Sequence, residues 1–321
     1  MTNEEFEALL DKIEKGLYKS YLESIDTLKA SIDVDALAIL IEQGRTYEAT
    51  QLINDAAVKQ GMAPFTNTVA SSYSVAGAKF IDSIPPLKVG SSEFKIAFDV
   101  QNPQLQNILM SRKVELLNGV TRDMSDVVYQ TINTGIRDGL GAKQIARDFR
   151  EVIGLTDKQE NIVQNYKRLL KDEPMQALSR ELRDKRFDKT VRKAVRLKQP
   201  LPDDVINKMV SRYREKFTKL RAETIARTQG IQILSESERQ GWVQMIDDGV
   251  VKEQDIERLW VAGKDGRTRS SHVAIPRLNE GGVGMNQPFQ SPLGAIMYPG
   301  DPSASLKNRI NCRCRVITRF R

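Results

Sequence analysis

The stretch DDVINKMVSRYREKFTKLRAETIARTQGIQILSESERQ, residues 203–240, carries one uninterrupted helical pattern and decides the fold class. Its apolar side chains recur at spacings of three and four residues, as on the buried face of an amphipathic helix. They are Val205, Met209, Tyr213, Phe217 and Leu220. Asp203 and Asp204 suit the positive end of the helix dipole, and Gly241 predicts the stop.

The same periodicity predicts helices on both sides of this stretch. The first begins at Asn3, its expected N-cap, and a later one begins after Thr156, with Gln159 completing a capping box. The others cover residues 33–43, 47–60, 103–137, 142–153 and 187–196. Residues 61–92, rich in Gly, Ser, Ala and Pro, predict a loop or, at most, a weak helix. Alternating patterns predict strands at 94–100, 258–262 and 314–320.

These elements predict an α+β fold with mostly helical N-terminal and central regions and a small mixed α+β C-terminal domain. We expect three regions. Residues 1–100 are helical with a loop and a short strand, residues 101–240 hold the long helices and the basic central helices, and residues 241–321 form a compact α+β unit.

The composition is that of a globular protein of about two domains, with 321 residues, 40% hydrophobic and 28% charged. No apolar run approaches the roughly 20 residues of a membrane span, so no membrane segment is expected. Two cysteines are too few for a disulfide scaffold, which favours a reducing compartment. The acidic start MTNEEFEALLDK is unlike a signal or transit peptide. A membrane protein, a secreted mini-protein and a collagen-like chain are excluded.

The net charge of +7 is unevenly distributed along the chain. Residues 1–60 carry a charge of −6, whereas residues 158–228 carry +10. Basic side chains line the side of helix 187–196 opposite its apolar side. This basic stripe consists of Lys189, Arg192, Lys193 and Arg196. It is either a solvated helix face or a surface that contacts DNA phosphates without sequence preference.

The only histidine and both cysteines lie in the C-terminal region: His272, Cys312 and Cys314. On an extended strand the two cysteines share a face, with Cα atoms roughly 7 Å apart, at or beyond the disulfide range. One Zn2+ could accept both thiolates and the imidazole, with Asp265 or Asp301 as fourth ligand. Alternatively, the cysteines are small buried apolar residues and the histidine is a hydrogen-bonded or capping residue.

Asp265 and Gly266 predict a turn after the strand at 258–262, and Arg267 and Arg269 follow this turn. Two such arginines can hold a carboxylate or a phosphate through paired hydrogen bonds. They either pair with acids of the same domain, such as Asp265 or Asp301, or hold a nucleic-acid phosphate. The sequence has no P-loop, no dinucleotide-binding glycine motif and no nucleophile elbow.

Four strings follow one another in the second half of the chain: AETIART at 222–228, DGRTRSSH at 265–272, PGD at 299–301 and NCRC at 311–314. In this order they resemble the phage head morphogenesis (phage Mu F-like) family of minor capsid proteins, over residues 150–321. The residues that match its motifs are Arg227, Asp265, Arg267, Arg269, His272, Asn311, Cys312 and Cys314. Many relatives place a histidine just before the last string, where this sequence has Lys307-Asn308-Arg309-Ile310.

The resemblance implies a low-copy virion protein without enzymatic activity, acting near the portal in procapsid assembly and in DNA packaging or delivery. Its partners would be portal and head proteins, and DNA through the basic stripe. It would assemble in the host cytoplasm and reside in the head interior. Some relatives carry a toxin domain after this unit, but none is expected after Arg321.

The alternative function is that of a small nucleic-acid- or nucleotide-modifying enzyme. His272 would act as acid or base, and Arg267 or Arg269 would stabilise an anion. A DNA-binding regulator is less favoured, because no helix-turn-helix, homeodomain or zinc-finger pattern is present.

Overall fold

A computed structural model describes residues 1–52, 55–85, 87–89, 92–94, 96–263, 266 and 268–321. It is mostly helical with two-stranded antiparallel sheets, which confirms the predicted α+β class. None of the helices in these ranges is long and apolar enough to cross a membrane. The elements are α1 (Asn3–Ser31), α2 (Val34–Glu42), α3 (Thr46–Gln51), α4 (Asp55–Gly61), α5 (Ala63–Asp82), β1 (Leu87–Val89), β2 (Ser92–Phe94), α6 (Pro103–Arg137), α7 (Ala142–Val152), α8 (Asp157–Asp172), α9 (Pro174–Ala177), α10 (Asp188–Arg196), α11 (Asp203–Asp247), β3 (Ile256–Val261), α12 (Ser270–Val273), α13 (Ile275–Leu278), α14 (Leu306–Arg309) and β4 (Arg315–Phe320).

The chain divides into two compact units, each built from segments that are distant in sequence. Unit 1 contains Met1–Ser20, Phe65–Ser111 and Glu223–Arg321, and unit 2 contains Tyr21–Pro64 and Arg112–Ala222. The helices α1, α6 and α11 each contribute residues to both units. The three regions predicted from the sequence are continuous, so they do not correspond one to one with these units, and they stay a prediction.

The predicted long helices are confirmed, but α11 continues past its expected stop at Gly241. A Cβ atom at Gly241 would lie 2.5 Å from Phe80 Cδ1, so the absence of a side chain allows α5 to pack closely against this turn. Trp242, the next residue, and Met245, one turn further along, are buried. The glycine therefore serves helix packing, and the prediction that it ends the helix is wrong.

The predicted loop at 61–92 is wrong over α5, which occupies most of that segment. The buried aromatic side chains of α5 are Phe65, Tyr73 and Phe80. The small residues between them admit close neighbours, since a Cβ atom at Gly77 would lie 2.1 Å from Phe98 Cε1. Poor helix formers cost up to about 1 kcal/mol each, whereas burying a large apolar side chain contributes about 1.5–3 kcal/mol. Packing therefore outweighs the local preference.

The predicted strand at 94–100 is also wrong for its described residues, because β2 ends at the first of them and residues 96–100 are irregular. A side chain of α11 satisfies this backbone instead of a neighbouring strand. Gln244 Nε2 donates to the carbonyl of Ala97 at 3.0 Å, and Gln244 Oε1 accepts from the amide of Asp99 at 3.1 Å.

Apart from Gly241, the helix ends follow the predicted signals with two exceptions. Thr156 forms the predicted capping box at the start of α8. However, α1 is capped by Thr2 and not by Asn3, because Thr2 Oγ1 accepts from the Glu5 amide and Glu5 Oε2 accepts from the Thr2 amide. The helix predicted at 47–60 is divided into α3 and α4, and two of the residues between them lie outside the described ranges.

Unit 2 packs α10 against an aromatic core. Tyr213 lies 4.2 Å from Tyr166 and 5.1 Å from Phe217, measured between ring centroids. Val191 of α10 is fully buried in the same cluster. Burial in this core raises the pKa of Tyr166 to about 12. The apolar face of α10 is therefore held inward.

In unit 1, β3 and β4 confirm the two strands predicted in the C-terminal region. They pair antiparallel, from Ile256 opposite Phe320 to Val261 opposite Arg315. Cys314 was expected to begin the second strand, but β4 begins one residue later. The pairing places the segment that carries both cysteines at the end of this sheet.

Replacing Gly300 with alanine is expected to lower the free energy of unfolding by about 1–3 kcal/mol. Gly300 has a φ of +82°, and a Cβ atom there would lie 3.0 Å from the backbone N and Cα of Gln232 in α11. Urea denaturation would measure the loss. Gly294→Ala is the matched control, because Gly294 has a φ of +102° but no neighbour within 4 Å. Equal losses in both variants would contradict the packing contribution.

Candidate metal centre and cation-lined surfaces

His272, Cys312 and Cys314 come together in unit 1. The Sγ atoms of both cysteines lie 3.4 Å from His272 Nδ1, and the three ligand atoms lie within 4.8 Å of one another. Each of these residues is only 1% exposed. The histidine comes from α12, and the cysteines come from the segment leading into β4. This His-Cys-Cys group could hold a metal ion.

The spacing of the group suits zinc. With Zn–S of about 2.3 Å and Zn–N of about 2.05 Å, a tetrahedral site places sulfur and nitrogen about 3.6 Å apart. The 3.4 Å separations in this structure are also compatible with thiol–imidazole hydrogen bonds. Only a small expansion would therefore convert the hydrogen-bonded group into a coordination site.

Asn308 orients the imidazole. Its Oδ1 lies 2.8 Å from His272 Nε2, so this nitrogen carries the proton and donates it. The side chain of Asn308 is fully buried and donates in turn to Ser291 Oγ at 3.2 Å. The arrangement leaves Nδ1 directed at the sulfur atoms, as a histidine ligand requires. The sequence analysis did not identify Asn308 as a site residue, because no spacing rule marks a residue of α14 that supports a ligand on another element.

The two thiols are not equivalent. A hydrogen bond from the Cys312 thiol, together with a hydrogen bond from the Gly263 amide, lowers the pKa of Cys314. The pKa of Cys312 is raised, because its proton is held by the Cys314 sulfur and because it is buried. The lowered pKa makes Cys314 the first of the two thiols to ionise, and a bound cation would displace the proton that Cys312 retains.

Of the two predicted fourth ligands, the described one, Asp301, is not part of this group. Asp301 accepts hydrogen bonds from the amides of Met297 and Ser303, both at 2.8 Å, and from Ser303 Oγ at 2.6 Å. Its carboxylate therefore holds a turn and is not one of the grouped ligand atoms. Asp265 lies outside the described residues.

A cavity of about 350 Å3 lies over the His-Cys-Cys group. Its described lining residues are Arg227, Thr268, Arg269, His272, Asn311, Cys312, Arg313 and Cys314. Thus six of the residues that carry the family resemblance line one cavity, although they come from α11, α12 and the segment before β4. Most of the motif residues therefore lie together around this cavity. The other two, Asp265 and Arg267, lie outside the described residues.

The arginines of the cavity differ in how they are held. Arg269 donates to the backbone carbonyl of Ile310, so its contact is structural but not with the acid that was expected. Arg313 forms a paired salt bridge with Glu14, with Nη2 to Oε2 at 3.0 Å. Arg227 meets the carboxylate of Glu223 only at 4.0 Å. Arg227 and Arg269 are therefore not neutralised by close ion pairs among these contacts.

The basic stripe lies on α10 in unit 2, and its predicted orientation is confirmed. Lys189, Arg192, Lys193 and Arg196 are all exposed, while Val191 on the opposite side is buried. The start of the helix is fixed by a salt bridge from Arg183 to Asp188 at 2.9 Å. The helix therefore presents four cations on one stable face.

No family model matches this chain, and no curated protein or solved structure shows significant similarity to it. The resemblance to the Mu F-like family thus rests on the motif residues and stays a prediction.

Proposed function

We propose that the chain is a phage minor capsid protein involved in head morphogenesis, present in few copies near the portal, and without enzymatic activity. The order of the motifs supports this proposal, and so does their convergence on one cavity. Its proposed partners are portal and head proteins in the procapsid, and DNA in the filled head. The basic stripe is the surface proposed to contact DNA.

The exposure of the basic stripe carries the DNA part of the proposal. Four cations lie on a helix of only nine residues. Their side chains point to solvent, so they can reach phosphates without unfolding the helix. Such contacts release counterions and do not read bases, which fits a protein that meets a whole genome.

A salt titration of DNA binding by the full chain tests this role. If the four cations each contact a phosphate, log K should fall against log salt with a slope near about −4. Changing Lys189, Arg192, Lys193 and Arg196 to glutamine should remove most of that slope. A matched control removes the same charge at Lys12, Lys15, Lys19 and Lys113, which are exposed elsewhere. A wild-type slope near zero, or equal effects in both variants, would overturn the DNA role.

The His-Cys-Cys group supports a second proposal, that the chain binds one structural Zn2+. Two thiolates and one oriented imidazole are typical zinc ligands, and the buried position suits a metal that stabilises a fold. Protein purified without chelator is expected to contain about one equivalent of zinc. Cys314→Ser and His272→Ala should lose it, whereas Arg227→Gln, which removes no ligand, should keep it. A wild-type content well below one equivalent would end this proposal.

The alternative enzyme proposal depends on a reactive His272. In the structure both ring nitrogens have partners, Asn308 on one side and the two sulfur atoms on the other. This arrangement supports a ligand role more than an acid–base role. Incubation of the chain with DNA, RNA and NAD, with His272→Ala as control, separates the two. Turnover that disappears in the variant would favour the enzyme.

A further inference from the structure

The His-Cys-Cys group supplies three ligands, and the arginine-lined cavity lies beside it. Tetrahedral zinc needs a fourth ligand, and among the described residues no further His, Cys, Asp or Glu joins the group. All three ligand residues line the cavity, which reaches solvent through Asn311, an exposed residue, and Arg227, whose side chain is 43% exposed. A ligand from solution can therefore approach the metal position from the cavity side.

We propose that this cavity binds a phosphate group, with one oxygen completing the zinc coordination and the others held by Arg227 and Arg269. The inference rests on the proposed zinc site and adds its ligand. The group would belong to inorganic phosphate or to a phosphomonoester such as the terminal phosphate of DNA.

The charges of the lining favour a dianion. Two thiolates neutralise Zn2+, and Glu14 neutralises Arg313 through their paired salt bridge. Arg227, whose nearest carboxylate is that of Glu223 at 4.0 Å, and Arg269 then leave positive charge beside the metal, which favours a phosphate dianion. No described residue that lines the cavity is acidic.

The placement of the two arginines favours a tetrahedral anion over a planar carboxylate. Arg227 reaches the cavity from α11, and Arg269 reaches it from the residue before α12. Guanidinium groups on two separate elements, together with the metal, require at least three acceptor oxygens on one small ligand. Phosphate presents oxygens in several directions, whereas a carboxylate has two in one plane. The volume of about 350 Å3 is at the small end for ligand cavities, which suits a phosphate with little attached to it.

The test uses the full chain loaded with Co2+ in place of zinc, because the visible absorption of cobalt reports changes in its ligands. Inorganic phosphate should change this spectrum in a saturable way. Arg227→Gln should weaken phosphate binding about tenfold or more while leaving cobalt bound. Arg269→Gln should do the same, although it also loses the contact with Ile310. Arg212→Gln is the control, because Arg212 is exposed on α11 and pairs with Glu215.

Each outcome decides between the proposals. No binding of either metal would overturn the zinc proposal and this inference together. Normal metal binding with a cobalt spectrum that does not change on addition of phosphate would overturn this inference alone. Acetate that binds as tightly as phosphate would also overturn it, and so would an Arg212→Gln variant whose phosphate binding is weakened as much as that of Arg227→Gln. Metal binding that fails to respond to phosphate until Asp265 is replaced by asparagine would assign the fourth position to Asp265 and also overturn it. A 5′-phosphorylated oligonucleotide that binds more tightly than both inorganic phosphate and the unphosphorylated strand would identify the DNA end as the source of the group.

Discussion

Replacing Arg258 with methionine is expected to lower the free energy of unfolding by about 3–5 kcal/mol. Arg258 is 1% exposed, and its guanidinium donates to the carbonyls of Gly284 at 3.1 Å and Met297 at 2.7 Å, and to that of Gln287. It also lies over the ring of Phe289, 5.1 Å from the centroid. Burial lowers the pKa of Arg258 to about 10, so the side chain is still charged at neutral pH. Methionine fills similar space but leaves three part-buried carbonyls without these donors.

Urea denaturation at neutral pH measures this effect. Arg319→Met is the matched control, because Arg319 lies on the neighbouring strand β4, is 61% exposed and pairs with Glu257 at the surface. Its loss should cost at most about 1 kcal/mol. Arg258→Lys should fall between the two, since it keeps the charge but cannot donate in three directions. An Arg258→Met variant as stable as the control would show that water replaces the guanidinium and that the loop does not depend on it.

Loading the chain with zinc is expected to raise its melting temperature by about 6 °C when free zinc is a thousandfold above the dissociation constant. Binding to the folded state alone then contributes about 4 kcal/mol, and a chain of this length converts this to about 6 °C. The gain should shrink as the pH is lowered, because protons compete with the metal for the ligands. The raised pKa of Cys312 makes its proton the one that zinc must displace, so the loss begins while Cys314 is still ionised.

Differential scanning calorimetry with zinc and with chelator measures this shift. Cys314→Ser should melt at the same temperature in both conditions, whereas Arg227→Gln should retain the shift. A wild-type chain that melts identically with zinc and with chelator would contradict the stabilising role of the group. In that case the cysteines and the histidine would act as a hydrogen-bonded core cluster.

The candidate site could be predicted only in part. The only histidine and the only two cysteines of the sequence lie in one region. Residue type alone was therefore enough to predict the three residues whose side chains come together. Asn308 and Arg258 could not be found in this way. Each acts through contacts with segments distant in sequence, and the residue type alone does not reveal whether a polar side chain will be buried.

The orientation of the basic stripe, in contrast, could be predicted from the sequence. Its orientation follows from helical periodicity, which is a local property, and the burial of Val191 confirms it. The long helices, the capping box at Thr156 and the strands β3 and β4 were likewise encoded locally. In each of them, the spacing of apolar residues and the capping side chains favour the same conformation.

Tertiary structure decided the rest. The helix α5, the irregular residues 96–100 and the passage of α11 through Gly241 all contradict local preference. In each case a contact between distant segments, such as Phe98 against Gly77 or Phe80 against Gly241, prevails. Local preferences differ by up to about 1 kcal/mol per residue, and the burial of one aromatic side chain exceeds that. The sequence alone therefore specified where strong helices and ligand-type residues lie, while packing across distant segments determined which of them meet.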